Sequence, residues 1–197
     1  CDPSRKDEDG DTPFHVAAFL GSLDIVMYLT ENWKCTTECP CQLGNSPLYH
    51  ACQINGNLSV VKYLVEKHGC DPSRKDERGN TPLHVAAASG SLDILMYLIE
   101  EQKFNVRCSG ERGRSPLHNA CERNGKLAVV KYLVENHGCD PSGKDDEHNT
   151  PLNVAAFSGS LDILMYLIEE RKCSPGYPGR WGRSPLHNAC EKNGNLA

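Results

Sequence analysis

The chain has 197 residues, of which 39% are hydrophobic and 24% charged, and a formal net charge of −5. That mild acidity argues against nucleic acid as a partner, because such a footprint needs a basic stripe. No apolar run approaches the roughly 20 residues that span a bilayer, and no secretory leader opens the sequence.

From the first residues onward the sequence is periodic. Cys1 is in register with Cys70 and Cys139, so the sequence is expected to begin inside a unit and to be a fragment. A polar finger, Asp7 to Asp11, leads into Thr12-Pro13-Phe14-His15-Val16-Ala17-Ala18. That heptapeptide returns as Ser46-Pro47-Leu48-Tyr49-His50-Ala51-Cys52, then from Thr81, Ser115, Thr150 and Ser184, at spacings of 34, 35, 34, 35 and 34. Fixed self-similarity in this range means stacked units rather than one central core.

Each copy predicts a helix start. Ser or Thr stands at the N-cap, where its oxygen can accept a first-turn N–H. Pro follows at the first helical position, where a missing N–H costs nothing. The Glu or Gln of a capping box is replaced by His15, His84, His118 and His187, with Tyr49 and Asn153 as departures. Small residues come next, which lets helices approach closely. Gly90 should stop this helix in a left-handed conformation, as should glycines near 56, 125 and 194. A second helix follows, as in Leu92-Asp93-Ile94-Leu95-Met96-Tyr97-Leu98, apolar first and charged at its end. Tyr28, Tyr63, Tyr97, Tyr132 and Tyr166 share one register position and should pack between neighbouring second helices.

Two consecutive units make a larger repeat of 69 residues, which implies tandem duplication of a pair. Within it the even units carry one extra residue. Thr12 to Leu23 spans 11 steps and Ser46 to Leu58 spans 12, while the distance from that Leu to the next cap is 23 in both. The insertion is therefore placed at the first helix or its exit, Asn55-Gly56 and Asn124-Gly125, where Asn-Gly tolerates left-handed backbone.

Eleven cysteines raise disulfides and zinc. Their recurrence in the repeat register, with Phe104 standing where Cys35 and Cys173 do, fits buried thiols in a reducing compartment. Cys35, Cys39 and Cys41 with His50 nearby are the best metal candidates, but their spacing matches no standard zinc pattern, so no metal and no cofactor are expected. The Asn57-Leu58-Ser59 sequon falls at a packed helix start and is read as chance. No phosphate-binding loop, His-Glu-x-x-His or nucleophile elbow occurs, so no catalytic residues are assigned.

The cap motif, the interhelix glycine and the Ile-Val or Val-Val plus Leu pattern of the second helix resemble the ankyrin-repeat family over essentially the whole chain. The resemblance implies an all-α ankyrin-repeat solenoid with hairpin-like fingers, one domain over 1–197. Its repeats lie near 1–35, 36–69, 70–104, 105–138 and 139–173, with an incomplete sixth at 174–197. Departures include units one or two residues longer than the family's usual length of about 33, His148 in place of the finger glycine, and Ser73 and Ser142 where the family often has Asn.

The resemblance also implies a role, binding another protein through a groove of fingers and inner helices, as a monomeric cytoplasmic scaffold. A nuclear location, or the cytosolic part of a larger protein, is compatible with it. The alternative is the ankyrin segment of a larger effector, an ion channel, kinase or ubiquitin ligase, whose activity lies elsewhere. Carried onto this chain, the contact positions include Trp181 between Arg180 and Arg183, the apolar Phe19, Leu20, Leu43, Ile54 and Phe157, and the finger arginines Arg78, Arg112 and Arg114. Trp and Arg are favoured at binding hot spots. The sixth unit stops where its second helix should begin, so fraying is expected from about Ser184.

Overall fold

The computed structural model describes residues 2, 4–33, 35, 41, 44–53, 56–122 and 126–193. Among the described residues eleven α-helices form five pairs and a last single helix. They are α1 (Pro13–Phe19), α2 (Leu23–Trp33), α3 (Pro47–Ala51), α4 (Leu58–Lys62), α5 (Pro82–Ser89) and α6 (Leu92–Met96), then α7 (Pro116–Ala120), α8 (Leu127–Lys131), α9 (Pro151–Ser158), α10 (Leu161–Met165) and α11 (Pro185–Asn193). No strand occurs among the described residues. The chain forms two compact units, Cys1–Phe104 and Asn105–Ala197.

Both units are built the same way. In the first, α1 packs on α3 and α3 on α5, while α2 packs on α4 and α4 on α6. In the second, α7, α9 and α11 pack in succession and α8 lies on α10. First helices therefore neighbour first helices, and second helices neighbour second helices. Leucines of both layers fill the space between them. Leu48, Leu64, Leu83 and Leu98 in one unit, and Leu117, Leu133, Leu152 and Leu167 in the other, are fully buried. Each contributes on the order of 2 kcal/mol by leaving water.

The helix starts follow the motif. Thr12, Thr81, Ser115 and Thr150 take extended backbone at the N-cap, each with Pro at the next position. The histidine supplies the missing half of the capping box. Its Nδ1 accepts the cap residue's own backbone N–H at 3.2 Å in Thr12–His15, Thr81–His84 and Ser115–His118. Asn153 does the same work, its Oδ1 accepting the Thr150 N–H at 3.1 Å.

The helix ends hold two surprises. Gly21, Gly90 and Gly159 stop the odd first helices with φ of 69°, 73° and 77°, as the sequence predicts. Gly56 does not take a left-handed φ. A Cβ there would lie 2.6 Å from Ile94 Cδ1 and 2.7 Å from the Ala51 carbonyl, so this glycine provides room for close packing. The even first helices α3 and α7 have 5 residues against 8 in α5 and α9, which fits the extra even residue being absorbed after them. Asn55, Asn124, Gly125 and Gly194 themselves lie outside the described residues.

The second surprise is in the second helices. α4, α6, α8 and α10 each run on into a π-helical turn, at Tyr63–Lys67, Tyr97–Glu101, Tyr132–Asn136 and Tyr166–Glu170. A π turn holds more residues than an α turn, which lengthens these four units, whereas α2 is α-helical throughout Leu23–Trp33. Each turn closes with a left-handed residue, Gly69, Lys103, Gly138 or Lys172. The next N–H then reaches back six residues, from Cys70 to Leu64, Phe104 to Leu98, Cys139 to Leu133 and Cys173 to Leu167. Cys35 bonds to Leu29 in the same manner. The cysteines of the odd and even units thus occupy one structural position, an equivalence the paired period conceals.

Tyr63, Tyr97, Tyr132 and Tyr166 pack between second helices, whereas Tyr28 on α2 is exposed. Tyr97 donates to Glu66 at 3.2 Å and Tyr166 to Glu135 at 3.0 Å, while Tyr63 and Thr30 hydroxyls lie 2.9 Å apart. Burial first, and then the carboxylate beside each, push Tyr97 and Tyr166 up to about 12, so both phenols remain donors. Lys62 lies over the Tyr97 ring and pairs with Glu101 at 3.0 Å, and Lys131 repeats this with Tyr166 and Glu170.

Candidate protein-binding surface

The fingers close in two ways. In 7–11, 76–80 and 145–149 an aspartate organises the turn. Asp76 Oδ1 accepts the N–H groups of Arg78 and Asn80 at 3.0 and 2.7 Å, and Asp145 Oδ1 accepts those of Glu147 and Asn149 at 2.9 and 2.8 Å. In 110–114 and 179–183 glycine stands where that aspartate would be. There the turn is made by two successive left-handed residues, Arg112-Gly113 with φ of 56° and 69°, and Trp181-Gly182 with φ of 56° and 71°. This is the backbone of a type I′ hairpin, a shape that glycine and asparagine adopt easily and tryptophan does not.

Trp181 is accordingly an unusual surface residue. It is 74% exposed. The Arg180 guanidinium lies 4.1 Å from its ring centroid and that of Arg183 lies 5.4 Å away. Holding a bulky side chain in left-handed backbone costs about 1–2 kcal/mol. Exposing it to water forgoes the burial that would offset this.

The finger arginines are tied to one another through acids. Glu147 pairs with Arg112 at 3.5 Å and with Arg180 at 3.0 Å, so one carboxylate bridges three consecutive fingers. Main-chain bonds reinforce the row: the Asp146 N–H donates to the Arg112 carbonyl at 2.9 Å, and the Arg180 N–H to Asn149 Oδ1 at 3.0 Å. Arg114 points inward, paired with Glu122 and with the buried Asp145 at 3.4 Å. Arg78 is exposed.

Among the apolar candidates, Phe157 is 60% exposed and Leu20 66%. Leu20 borders an open depression with Val16 and Ile25. Phe19 is partly exposed and sets its ring edge-on to His50 at 6.4 Å. Leu43 and Ile54 lie outside the described residues.

First helices meet the next finger through the capping histidine. His118 accepts the Ser115 N–H at Nδ1, so Nε2 carries the proton and donates to the Asn149 carbonyl at 3.1 Å. Burial pulls this imidazole below the usual range, with the Asn149 bond and the Asp145 charge opposing. In the following unit the Asn153 amide takes over, donating to the Arg183 carbonyl at 3.4 Å.

The described cysteines are thiols and none forms a disulfide. Burial alone holds Cys52 far above the ordinary thiol range, and it is the leading cause at Cys121 as well, which suits inert packing groups. The Asn57 side chain is committed to the structure, its Oδ1 accepting the Ser59 N–H and its Nδ2 donating to the Gly21 carbonyl. One cluster, Asp11, Cys41 and His50, brings three metal-ligand types together, with ligand atoms within 4.8 Å of one another.

Paired helices capped by Thr-Pro or Ser-Pro, stacked layer on layer and joined by hairpin fingers, define a helical repeat protein. The ankyrin-repeat family model matches in three copies, over residues 1–76, 55–145 and 123–197. The chain belongs to the ankyrin-repeat family. A search of curated proteins finds no match. Ankyrin repeats as a class are protein–protein interaction modules rather than catalysts. Among the described residues no helix is long and apolar enough to cross a membrane.

Proposed function

We propose that this chain binds a protein partner along its row of fingers and first helices, with Trp181, Arg180, Arg183 and Phe157 at the centre of the contact. One observation carries this: Trp181 is held outward in a backbone conformation that disfavours it, clasped by two guanidinium groups. A side chain that lowers stability twice over, by strain and by exposure, is explained by a ligand that covers it. The mostly buried, unpaired thiols among the described residues fit a reducing compartment, and the chain acts as a monomeric adaptor in the cytoplasm.

Photo-crosslinking tests the assignment. A photoreactive residue replacing Trp181 should capture the partner, and one replacing Glu169 on the second-helix side should not. Trp181→Ala should weaken binding by about 2 kcal/mol or more and Phe157→Ala by about 1 kcal/mol. Unchanged affinity in both variants would discard this surface.

A further inference from the structure

We propose that Asp11 Oδ1, Cys41 Sγ and His50 Nε2 form a site for a zinc-class divalent metal ion, which clamps the first repeat onto the second. The repeat register supplies the first reason. Position 11 corresponds to Asn45, Asn80, Arg114, Asn149 and Arg183 in the other units, so only here is it a carboxylate. Position 41 corresponds to Asp7, Asp76, Gly110, Asp145 and Gly179, so only here is it a thiol. Position 50 corresponds to Val16, Val85, Asn119, Val154 and Asn188, so only here is it an imidazole. Three departures, each singular at its own position and up to 39 residues apart, converge with their ligand atoms within 4.8 Å of one another.

Hydrogen-bond geometry supplies the second reason. Asp11 Oδ1 and His50 Nε2 are buried and have no hydrogen-bond partner, although they lie 3.3 Å apart. His50 Nδ1 sits 3.2 Å from Gln53 Oε1, an acceptor, so Nδ1 carries the proton of the neutral ring. Nε2 then presents a lone pair to a carboxylate oxygen. Two buried acceptors facing each other call for positive charge between them, which a bound metal ion supplies. An acceptor that fixes the tautomer from the far side of the ring is the usual support for a metal-ligating histidine, and here the Gln53 carbonyl oxygen takes that place.

The nitrogen–oxygen separation agrees. Tetrahedral zinc with bonds of about 2.0–2.2 Å places its nitrogen and oxygen ligands about 3.4 Å apart, close to the observed 3.3 Å. The thiolate completes three protein ligands, and water takes the fourth position. Two ligands come from consecutive fingers and one from α3, so a bound ion ties the first two repeats together. The site is independent of the Trp181 surface.

The full chain, stripped with chelator under reducing conditions and titrated with Co(II), should bind one equivalent. Tetrahedral ligand-field absorption and thiolate-to-cobalt charge transfer should appear, and Zn(II) should displace the cobalt and raise Tm. Asp11→Asn and His50→Asn install residues that the chain already uses at those register positions, so both should fold. Each should weaken binding by more than about tenfold. Cys41→Ser should abolish the charge-transfer band. If it fails to fold, Cys41→Gly takes its place, matching Gly110. Cys121→Ser should bind as the parent does. An octahedral spectrum without charge transfer, or equal affinity in Asp11→Asn and His50→Asn, would overturn the site and leave an imidazolium–aspartate ion pair.

Discussion

Fingers 145–149 and 179–183 are neighbours in one unit and solve the same turn by opposite means. The first uses a buried aspartate that gathers two backbone N–H groups, so its stability comes from a satisfied acceptor. The second has glycine in that position and closes by left-handed backbone at Trp181 and Gly182. The aspartate finger takes a single left-handed residue, His148 with φ of 63°, and depends chiefly on its organiser. The glycine finger has no such organiser, and the identity of its tip bears directly on its stability.

Removing the organiser should have the largest effect. Asp145→Ala leaves two finger N–H groups without their acceptor and removes one of the carboxylates paired with Arg114. We expect a loss of about 3 kcal/mol in urea unfolding. Within the glycine class, Gly113→Ala and Gly182→Ala separate strain from crowding. Both force left-handed alanine, but a Cβ at 113 would lie 2.3 Å from Asp146 Oδ1, whereas nothing lies within 4 Å at 182. Losses of about 2 and about 1 kcal/mol should follow. Equal losses would mean that the Asp146 side chain yields freely.

A pH effect is expected at the contact between α7 and finger 145–149. Because burial depresses the folded pKa of His118, the unfolded chain takes up this proton first as pH falls. Stability should therefore decline below about pH 6.5, the ordinary histidine value. His118→Asn, which copies Asn153, should remove that part of the pH dependence in unfolding midpoints. The smallest effect is a gain. Trp181→Gly should stabilise the finger by about 0.5–1 kcal/mol while weakening partner binding. A loss of stability would show that the guanidinium clasp outweighs the backbone strain.

Much of this was visible in the sequence. The motif at Thr81 specifies the cap, the proline and the histidine, and the histidine does act as the second half of the capping box. The glycine stops at 90 and 159 follow from spacing. The π turns were hidden, because Tyr97-Leu98-Ile99 has the same hydropathy in either helix type and only hydrogen-bond register distinguishes them. Gly56 was assigned the wrong physical role, since sequence does not separate a glycine needed for φ from one needed for room. The convergence of Asp11, Cys41 and His50 has no local spacing signal. Cys41 and His50 stand out as candidates in the sequence, and Asp11 joins them only when each position is compared with its five counterparts down the register. Trp181 was singled out for its chemistry, and its strained backbone emerged only with the fold.

The imidazole of His118 and the amide of Asn153 both grip the following finger by a main-chain carbonyl, at Asn149 and Arg183. Any amino acid supplies that oxygen. The tips can therefore be rewritten residue by residue while the layers remain seated on each other. A lineage exploring new targets would change the vocabulary of the fingers without loosening the spine that carries them.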